Sequence, residues 1–208
     1  MGSFKQGPLG IPYGKVGNII ISSWKGMPYV KSLPGERKSP PSEKEMANRR
    51  KWAMAHAWLQ PVTEFVRAGF KGYSARAEGF VAAKSYLLKN AFEGTAPDFT
   101  INPALVKVSY GALALPDGLT VKKVNKQELQ FSWDTTRLTG SENDQVMLLA
   151  YNIETGFNAY KLPGALRISG MDSLSLHSLQ GRLHLYAAFV AADRSCQSDS
   201  MYLGTVKV

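Results

Sequence analysis

The second half of the chain is a series of short apolar segments separated by turns, and this pattern restricts the fold more than any other feature of the sequence. Alternating or continuously apolar segments occur at Leu105–Val108, Leu119–Val124, Glu128–Trp133, Gln145–Tyr151, Ser173–Leu176, Leu183–Ala192 and Met201–Val208. Turn residues separate them, including Pro-Asp-Gly at 116–118 and Leu-Pro-Gly at 162–164. Short strands with regular turns over such a length are typical of a two-sheet β-sandwich. Residues 96–208 are therefore predicted to form a β-sandwich domain.

One tryptophan and the cysteine content indicate the kind of sandwich. Trp133 ends a Leu-Gln-Phe-Ser-Trp strand, and a tryptophan buried between the sheets is typical of immunoglobulin-like domains. The chain has a single cysteine, Cys196, so the disulfide that joins the sheets of antibody domains cannot form. We therefore expect a fibronectin-type-III/immunoglobulin-like sandwich, with the fibronectin variant the better match.

Residues 43–95 carry helical signals. Ser42 followed by Glu45 forms a capping box directly after Pro40-Pro41, and apolar residues then recur at helical spacing as far as Pro61, which ends the helix near Leu59. Two further helical stretches are predicted, over about 62–70 and 75–90. Short helices are marginal in water on their own. This helical segment therefore needs a surface to pack on.

Residues 1–42 are predicted to be an extended arm. Glycine and proline recur along it and exclude a long helix. Two short strands are predicted, Asn18–Trp24 and Met27–Ser32, with a tight turn at Lys25-Gly26. An isolated hairpin is marginal in water, so its apolar residues must pack on the rest of the chain or on a neighbouring subunit. The whole chain is thus expected to be an α+β protein of three segments, 1–42, 43–95 and 96–208.

The net charge of +9 belongs to the first half of the chain. Residues 1–95 contain 15 Lys and Arg against 6 Asp and Glu, whereas residues 96–208 contain 10 of each. Such a basic surface suits a nucleic acid backbone or an acidic face of another subunit. The residues assigned to a polyanion contact are Arg37, Lys38, Arg49, Arg50 and Lys51.

No motif in the sequence indicates an enzyme. His177 and His184 have no third residue at metal-ligand spacing, so no metal site is predicted. Residues 10–16 resemble a phosphate-binding loop, but the spacing is one residue short and Val16 stands where Ser or Thr binds magnesium. We therefore expect a non-enzymatic protein with no catalytic residue, cofactor or small-molecule substrate.

The sequence also bears on location. No run approaches the ~20 apolar residues that span a bilayer, and the N-terminus lacks the apolar region of a classical signal peptide. We expect no membrane insertion and synthesis in the cytoplasm, with incorporation into a virion or an extracellular assembly left open.

Several motifs resemble those of a known family. The arm carries Gly-Lys-Val-Gly-Asn at 14–18, Ser-Trp-Lys-Gly at 23–26 and Tyr-Val-Lys-Ser-Leu-Pro at 29–34, and the similarity continues through 49–53, 59–61, 69–73, 82–86 and 198–204. These motifs resemble a bacterial family of domains of unknown function. A looser version of the arm is similar to one in phage and prophage structural proteins. The resemblance implies a role in assembly and transfers no catalytic residue.

The leading functional hypothesis is a structural subunit that self-associates through its arm into a filament, a ring or a virion-like assembly. The arm would add a strand to a neighbouring copy, because strand addition supplies main-chain hydrogen bonds. The predicted assembly interface comprises Lys15, Asn18, Ile19, Ile20, Ile21, Trp24, Lys25, Tyr29 and Val30.

Two alternatives stay open. In the first, the sandwich is a binding or adhesion module for a carbohydrate or protein, with Tyr151, Phe157 and Tyr160 as candidate contacts. In the second, the basic half is a nucleic-acid-binding packaging segment, which predicts binding that weakens steeply with salt.

Overall fold

The structure is a computed structural model, and it describes residues 2–3, 13–24, 26–36, 38–74, 77, 79–136, 140–177 and 179–208. The chain forms two compact units, Met1–Ser42 and Glu43–Val208. The break falls at the predicted end of the arm. The predicted α+β class is confirmed, with strands in both units and helices in the second.

The N-terminal unit is a small antiparallel sheet. It contains β1 (Gly2–Ser3), β2 (Gly14–Val16), β3 (Ile19–Trp24) and β4 (Met27–Ser32). The strands lie in the order β1-β4-β3-β2, so the predicted hairpin of β3 and β4 forms the centre of the sheet. Gly26 has a φ of 79°, which favours glycine and fits the predicted turn. Lys25, the other residue of that turn, lies outside the described residues.

Three helices are described at the start of the second unit. They are α1 (Glu43–Leu59), α2 (Thr63–Gly69) and α3 (Gly79–Asn90). α1 begins directly after the predicted Pro40-Pro41 stop and ends before Pro61, because a proline ring cannot occupy a helix interior. A 3₁₀ turn, Gln60–Val62, carries the chain from α1 into α2. The predicted helical segment is therefore present, with its boundaries close to those that the sequence indicates.

Within the described part of the second unit, the strands form three sheets. The strands are β5 (Phe92–Glu93), β6 (Thr100–Ile101), β7 (Thr120–Asn125), β8 (Glu128–Ser132), β9 (Gln145–Tyr151), β10 (Asn158–Lys161), β11 (Met171–Ser175), β12 (Arg182–Val190) and β13 (Met201–Lys207). β5 pairs with β6. The order in the three-stranded sheet is β11-β8-β7, and in the four-stranded sheet β10-β9-β12-β13.

A first hydrophobic core lies between the larger two sheets. Leu129, Phe131 and Leu174 of the three-stranded sheet are buried against residues of the four-stranded sheet such as Leu148 and Leu185. Trp133 is buried in this core at the end of β8, as predicted, and its ring makes an edge-to-face contact with Phe189 at 5.3 Å. The second half of the chain thus has the two-layer core that its alternating pattern predicts.

A second core lies on the opposite face of the four-stranded sheet, where the helices pack. The helices contribute residues such as Leu59, Phe65 and Leu87, and β9 and β12 contribute residues such as Leu149 and Tyr186. The Tyr151 hydroxyl donates to the Trp58 carbonyl oxygen at 2.9 Å across this core. The surface that the short helices need is therefore a sheet of their own chain. The predicted boundary between 95 and 96 lies inside one compact unit.

One predicted strand is wrong, and one observed strand has no counterpart among the predicted strands. Leu105–Val108 is not a strand, because a 3₁₀ turn, Pro103–Leu105, leads into a segment whose Val106 and Val108 are buried in the helix–sheet core. The strand β10 was not predicted from the sequence. It has four residues, of which only Ala159 is buried, so its apolar pattern is too short to recognise.

The edge strand β13 carries a β-bulge. Its pairing with β12 shifts between His184 and Tyr186, because two residues, Leu203 and Gly204, stand opposite the single residue Leu185. Gly204 has a φ of 87°, which a residue with a side chain rarely adopts. The bulge therefore depends on a glycine at this position.

Candidate binding sites

The N-terminal sheet has two chemically different faces. Residues directly opposite in an antiparallel pair lie on the same face, so the register places Val16, Ile19, Ile21 and Val30 together. No charged residue of β2–β4 shares that face, which we call the apolar face. The other face carries Lys15, Ile20, Trp24, Met27, Tyr29 and Lys31. The predicted interface residues are thus divided between two faces.

The described side chains of the N-terminal sheet do not form a buried core. Among the described side chains of residues 13–42, none is buried. Val16 is 65% exposed and Ile19 is 47% exposed, although both belong to paired strands. Asn18 lies in the turn between β2 and β3, where its carbonyl oxygen accepts from Leu33 N at 2.7 Å. Backbone pairing therefore defines this sheet; Val16 and Ile19 stay exposed, whereas Ile21 and Val30 are half-buried.

The three residues of α1 that are assigned to a polyanion contact do not share one face of that helix. Arg49 pairs with Glu45 at 2.7 Å, one turn earlier on α1. The Lys51 ammonium lies 4.2 Å from the ring centroid of Phe99, so it covers an aromatic side chain of its own chain. Arg50 is exposed, and adjacent helix positions do not face each other. Lys38 is exposed in the first unit, and Arg37 lies outside the described residues.

The aromatic residues considered for a binding module do not form a platform. Tyr151 is 1% exposed, and burial raises its pKa to about 12. Phe157 and Tyr160 are exposed at 67% and 43%. The prediction of Tyr151 as a surface contact is wrong, because its ring belongs to the helix–sheet core.

An open cavity of about 560 Å³ lies at one end of the sandwich. It is lined by the segment before β7, the turn before β9, the 3₁₀ turn after β10 and the loop after β12. We call this the loop-end cavity. The residues that line it are Leu113, Ala114, Gly140, Ser141, Asp144, Arg167, Ala191, Ala192, Asp193 and Ser195.

A buried ion pair lines the loop-end cavity. The side chains of Arg167 and Asp144 are 5% and 9% exposed, and Arg167 Nη1 lies 3.4 Å from Asp144 Oδ2. The backbone fixes both residues, because Arg167 N donates to Asp144 O at 2.6 Å and Trp133 Nε1 donates to Arg167 O at 2.7 Å. The Nε atom of Arg167 is buried and has no hydrogen-bond partner among the described residues. The guanidinium carbon of Arg167 lies 5.2 Å from the ring centroid of Phe189, so the guanidinium packs against the sandwich core.

An exposed carboxylate stands on the loop after β12. Asp193 Oδ1 accepts from Ser195 N at 2.9 Å and from Ser195 Oγ at 2.6 Å. These hydrogen bonds lower the pKa of Asp193, so the group is ionised at neutral pH. Asp144, Arg167 and Asp193 lie on three separate loops that are far apart in the sequence. Their positions in the sequence therefore do not indicate that they line one cavity.

The histidines and the cysteine do not assemble a site. His184 Nδ1 lies 2.9 Å from the Tyr202 hydroxyl, and burial lowers the pKa of His184. Cys196 is a free, half-buried thiol. Within the described ranges, no group of three or more His, Cys, Asp or Glu could hold a metal ion. Among the same residues, no helix has the length and apolar character that a membrane span needs.

These features define an α+β protein in which a three-layer unit of helices and two sheets follows a small N-terminal sheet. The chain belongs to a family of unknown function, DUF6266, whose profile matches residues 11–204. The match includes most of the arm, the helices and the sandwich. It therefore confirms the resemblance to a bacterial family of unknown function. No curated protein and no solved structure matches the chain.

Proposed function

We propose that this chain is a non-enzymatic structural protein that self-associates through the apolar face of its N-terminal sheet. The observation that carries the proposal is the absence of any buried side chain among the described residues 13–42, although β2, β3 and β4 are paired with one another in one sheet. A sheet needs a covered apolar face to be stable in water. A partner that covers Val16, Ile19, Ile21 and Val30 would supply it.

The chemistry of the apolar face favours a second copy as that partner. A face without charge needs no complementary charge, so two identical faces can pack together about a two-fold axis. The opposite face carries Lys15 and Lys31, which would repel their equivalents in a second copy. Packing through the apolar face also fits better than strand addition, because the edge strands β1 and β2 have two and three residues.

We further propose that the sandwich is a fibronectin-type-III-like module that serves as the scaffold. The seven strands from β7 to β13 form the sandwich. β7, β8 and β11, the first, second and fifth of them, share one sheet, and the other four share the second sheet. Constant immunoglobulin domains instead place the fourth strand with the first sheet. The fourth strand, β10, pairs with β9, and this pairing supports the fibronectin arrangement. A filament, a ring, a virion component or an extracellular assembly could be built on such a scaffold.

The test compares the mass of the full chain with that of the fragment 43–208 by size-exclusion chromatography with light scattering. The fragment keeps both hydrophobic cores and should be a folded monomer. The full chain should form a dimer or a larger species. A full chain that is monomeric at all accessible concentrations would refute the proposal.

Point variants locate the contact. Ile19→Asp places a charge on the apolar face and should shift the full chain to monomer. Lys15→Glu alters the opposite face and should leave the mass unchanged. Val124→Asp is the matched control, because Val124 is a β-branched residue on β7 that is 56% exposed. Equal effects of Ile19→Asp and Val124→Asp would exclude the apolar face as the interface.

A further inference from the structure

A groove between α1 and α3 combines positive charge with an exposed aromatic ring. It is open to solvent and has a volume of about 500 Å³. The two helices are held together by the helix–sheet core, so both walls of the groove are fixed. We call it the basic groove. Its polar and aromatic lining consists of Asn48, Lys51 and Trp52 from α1, and of Lys84, Ser85 and Lys89 from α3.

Three ammonium groups of the basic groove have no ion-pair partner among the described residues. They belong to Lys51, Lys84 and Lys89. No carboxylate of the described residues lines the groove. The described lining therefore carries three positive charges and no negative charge, and it attracts an anion.

The described acidic residues nearest in the sequence do not line the groove. Glu45 pairs with an arginine of its own helix at 2.7 Å. Glu93 and Asp98 belong to the segment after α3, whose two phenylalanine rings lie under the Lys51 ammonium. Their charges oppose that of Lys51, so the two lysines of α3 are the less shielded. Glu78 lies outside the described residues.

The aromatic ring in the groove is that of Trp52. It is 54% exposed, and Val81 of α3, which also lines the groove, is 60% exposed. The Lys84 ammonium lies 4.8 Å from a Trp52 ring centroid. This cation–π contact orders both side chains and leaves the charge of Lys84 in place. Because more than half of Trp52 is accessible, part of the indole can stack on a planar group.

Cations beside an exposed aromatic ring suit a single-stranded nucleic acid. Proteins that bind single strands without sequence preference use a positive groove for the backbone and aromatic side chains for the bases. In a duplex the bases stack on one another and cannot reach Trp52, and a run of acidic side chains would leave Trp52 without a stacking partner. α3 rises about 12 Å from Val81 to Lys89, which at roughly 3.4 Å per stacked nucleotide accommodates about three to four nucleotides.

We propose that the basic groove binds single-stranded nucleic acid without sequence preference. Lys51, Lys84 and Lys89 would contact phosphates, and Trp52 would stack on a base. The site lies in the unit 43–208 and does not depend on self-association through the N-terminal sheet. The chain would then combine an assembly contact in one unit with a nucleic-acid site in the other.

Fluorescence anisotropy of labelled thymidylate and uridylate dodecamers, titrated with the full chain at low salt, tests the proposal. Binding of either oligonucleotide supports it, and the tighter of the two identifies the preferred sugar. The logarithm of the association constant should fall with the logarithm of salt concentration with a slope of about −2, because each of three phosphate contacts contributes roughly −0.7. A duplex dodecamer and poly-L-glutamate should bind severalfold more weakly.

A double lysine variant tests the charges. Lys84→Gln combined with Lys89→Gln keeps two long side chains and removes two positive charges. It should weaken binding about tenfold or more and make the salt slope shallower by about 1.4. Lys122→Gln combined with Lys126→Gln is the matched control, because it gives the same net charge through exposed residues of β7 and the turn after it. This control should bind as the unmodified chain does.

A tryptophan variant tests the stacking. Trp52→Ala should weaken binding about fivefold or more and leave the salt slope unchanged, because it removes a stacking surface and no charge. Phe157→Ala, which removes an exposed ring from the sandwich, is its control. Failure of both oligonucleotides to bind would overturn the proposal, as would a duplex or polyglutamate that binds as tightly. Equal losses in the two double lysine variants, or full binding by Trp52→Ala, would also overturn it.

Discussion

Replacing Phe65 by alanine tests whether the helices and the sandwich form one cooperative unit. Phe65 lies on α2, is 0% exposed and belongs to the core between the helices and the four-stranded sheet. Its ring makes an edge-to-face contact with Tyr160 of β10 at a centroid distance of 6.4 Å. Phe→Ala substitutions in a core cost about 3–5 kcal/mol of unfolding free energy. The loss is large compared with the ~5–15 kcal/mol that stabilises a typical domain.

Urea denaturation measures this loss. With a slope of roughly 2 kcal/mol per molar, a loss of about 4 kcal/mol lowers the midpoint by about 2 M. Far-ultraviolet circular dichroism follows the helices, and near-ultraviolet circular dichroism responds to the packing of aromatic residues, including Trp133 in the sandwich core. Both signals should move together. Phe157→Ala is the matched control, because Phe157 is 67% exposed, and it should change the unfolding free energy by less than about 0.5 kcal/mol.

Two separate transitions would refute this reasoning. If Phe65→Ala lowered the midpoint of the helical signal and left that of the aromatic signal unchanged, the sandwich would be stable without the helices. The boundary near residue 95 that the sequence predicts would then be a real domain boundary. The same logic predicts that an isolated fragment 96–208 unfolds or aggregates, because it would expose the face of β9 and β12 that the helices cover.

Three further perturbations have defined outcomes. Because burial raises the pKa of Tyr151 to about 12, the unfolded state releases this proton first, so unfolding free energy should fall between about pH 10 and pH 12. Tyr151→Phe should make that fall shallower in urea titrations at alkaline pH, and an unchanged slope would contradict the assignment. Gly69→Ala places a methyl group against the backbone of residues 108 and 109 and should cost about 1–3 kcal/mol in urea denaturation, whereas Gly35→Ala, with open space around it, should cost little. Asp144→Asn leaves the buried guanidinium of Arg167 without its counterion and should lower the unfolding free energy by about 3–5 kcal/mol. An unchanged midpoint in thermal denaturation would show that water already hydrates the pair.

Much of the secondary structure follows from local sequence signals. The predicted strand Gln145–Tyr151 has the same bounds as β9, and the predicted end of the first helix near Leu59 is its observed end. Pro61 and the turn at Gly26 act locally, so no tertiary information is needed to place them. The strand that the sequence misassigns, Leu105–Val108, is apolar for another reason, since Val106 and Val108 are buried under the helices.

The packing of helices on the sandwich is harder to predict, although the sequence contains a signal for it. Six consecutive residues of β9, Val146–Tyr151, are all buried, and β12 has a similar run, Leu185–Val190. A strand with one face in water alternates, whereas a strand covered on both faces is continuously apolar. An independent sandwich formed by residues 96–208 would leave one face of β9 and β12 in water. The continuously apolar runs of these two strands indicate instead that another layer covers that face.

The loop-end cavity could not be predicted from spacing. Asp144, Arg167 and Asp193 lie on three loops, and only the pairing of the strands between them brings the loops to one end of the sandwich. The N-terminal sheet is a similar case. Its apolar face follows from the pairing of β3 with β2 and β4, because the three consecutive isoleucines of β3 do not by themselves distinguish one face from the other. The sequence pattern does not indicate which surface covers that face.

The bulge at Gly204 affects whether the sandwiches of copies held close together can pair through their edge strands. Copies held together at their N-terminal sheets, as proposed, would stand at a high local concentration. A flat, seven-residue edge strand such as β13 could then serve as a template for amyloid-like growth from one sandwich to the next. The kink at Gly204 interrupts that template, because a bulged strand cannot align its backbone groups along its whole length with a neighbour. Neighbouring sandwiches would thus stay separately folded, because their exposed edge strands would not pair with one another.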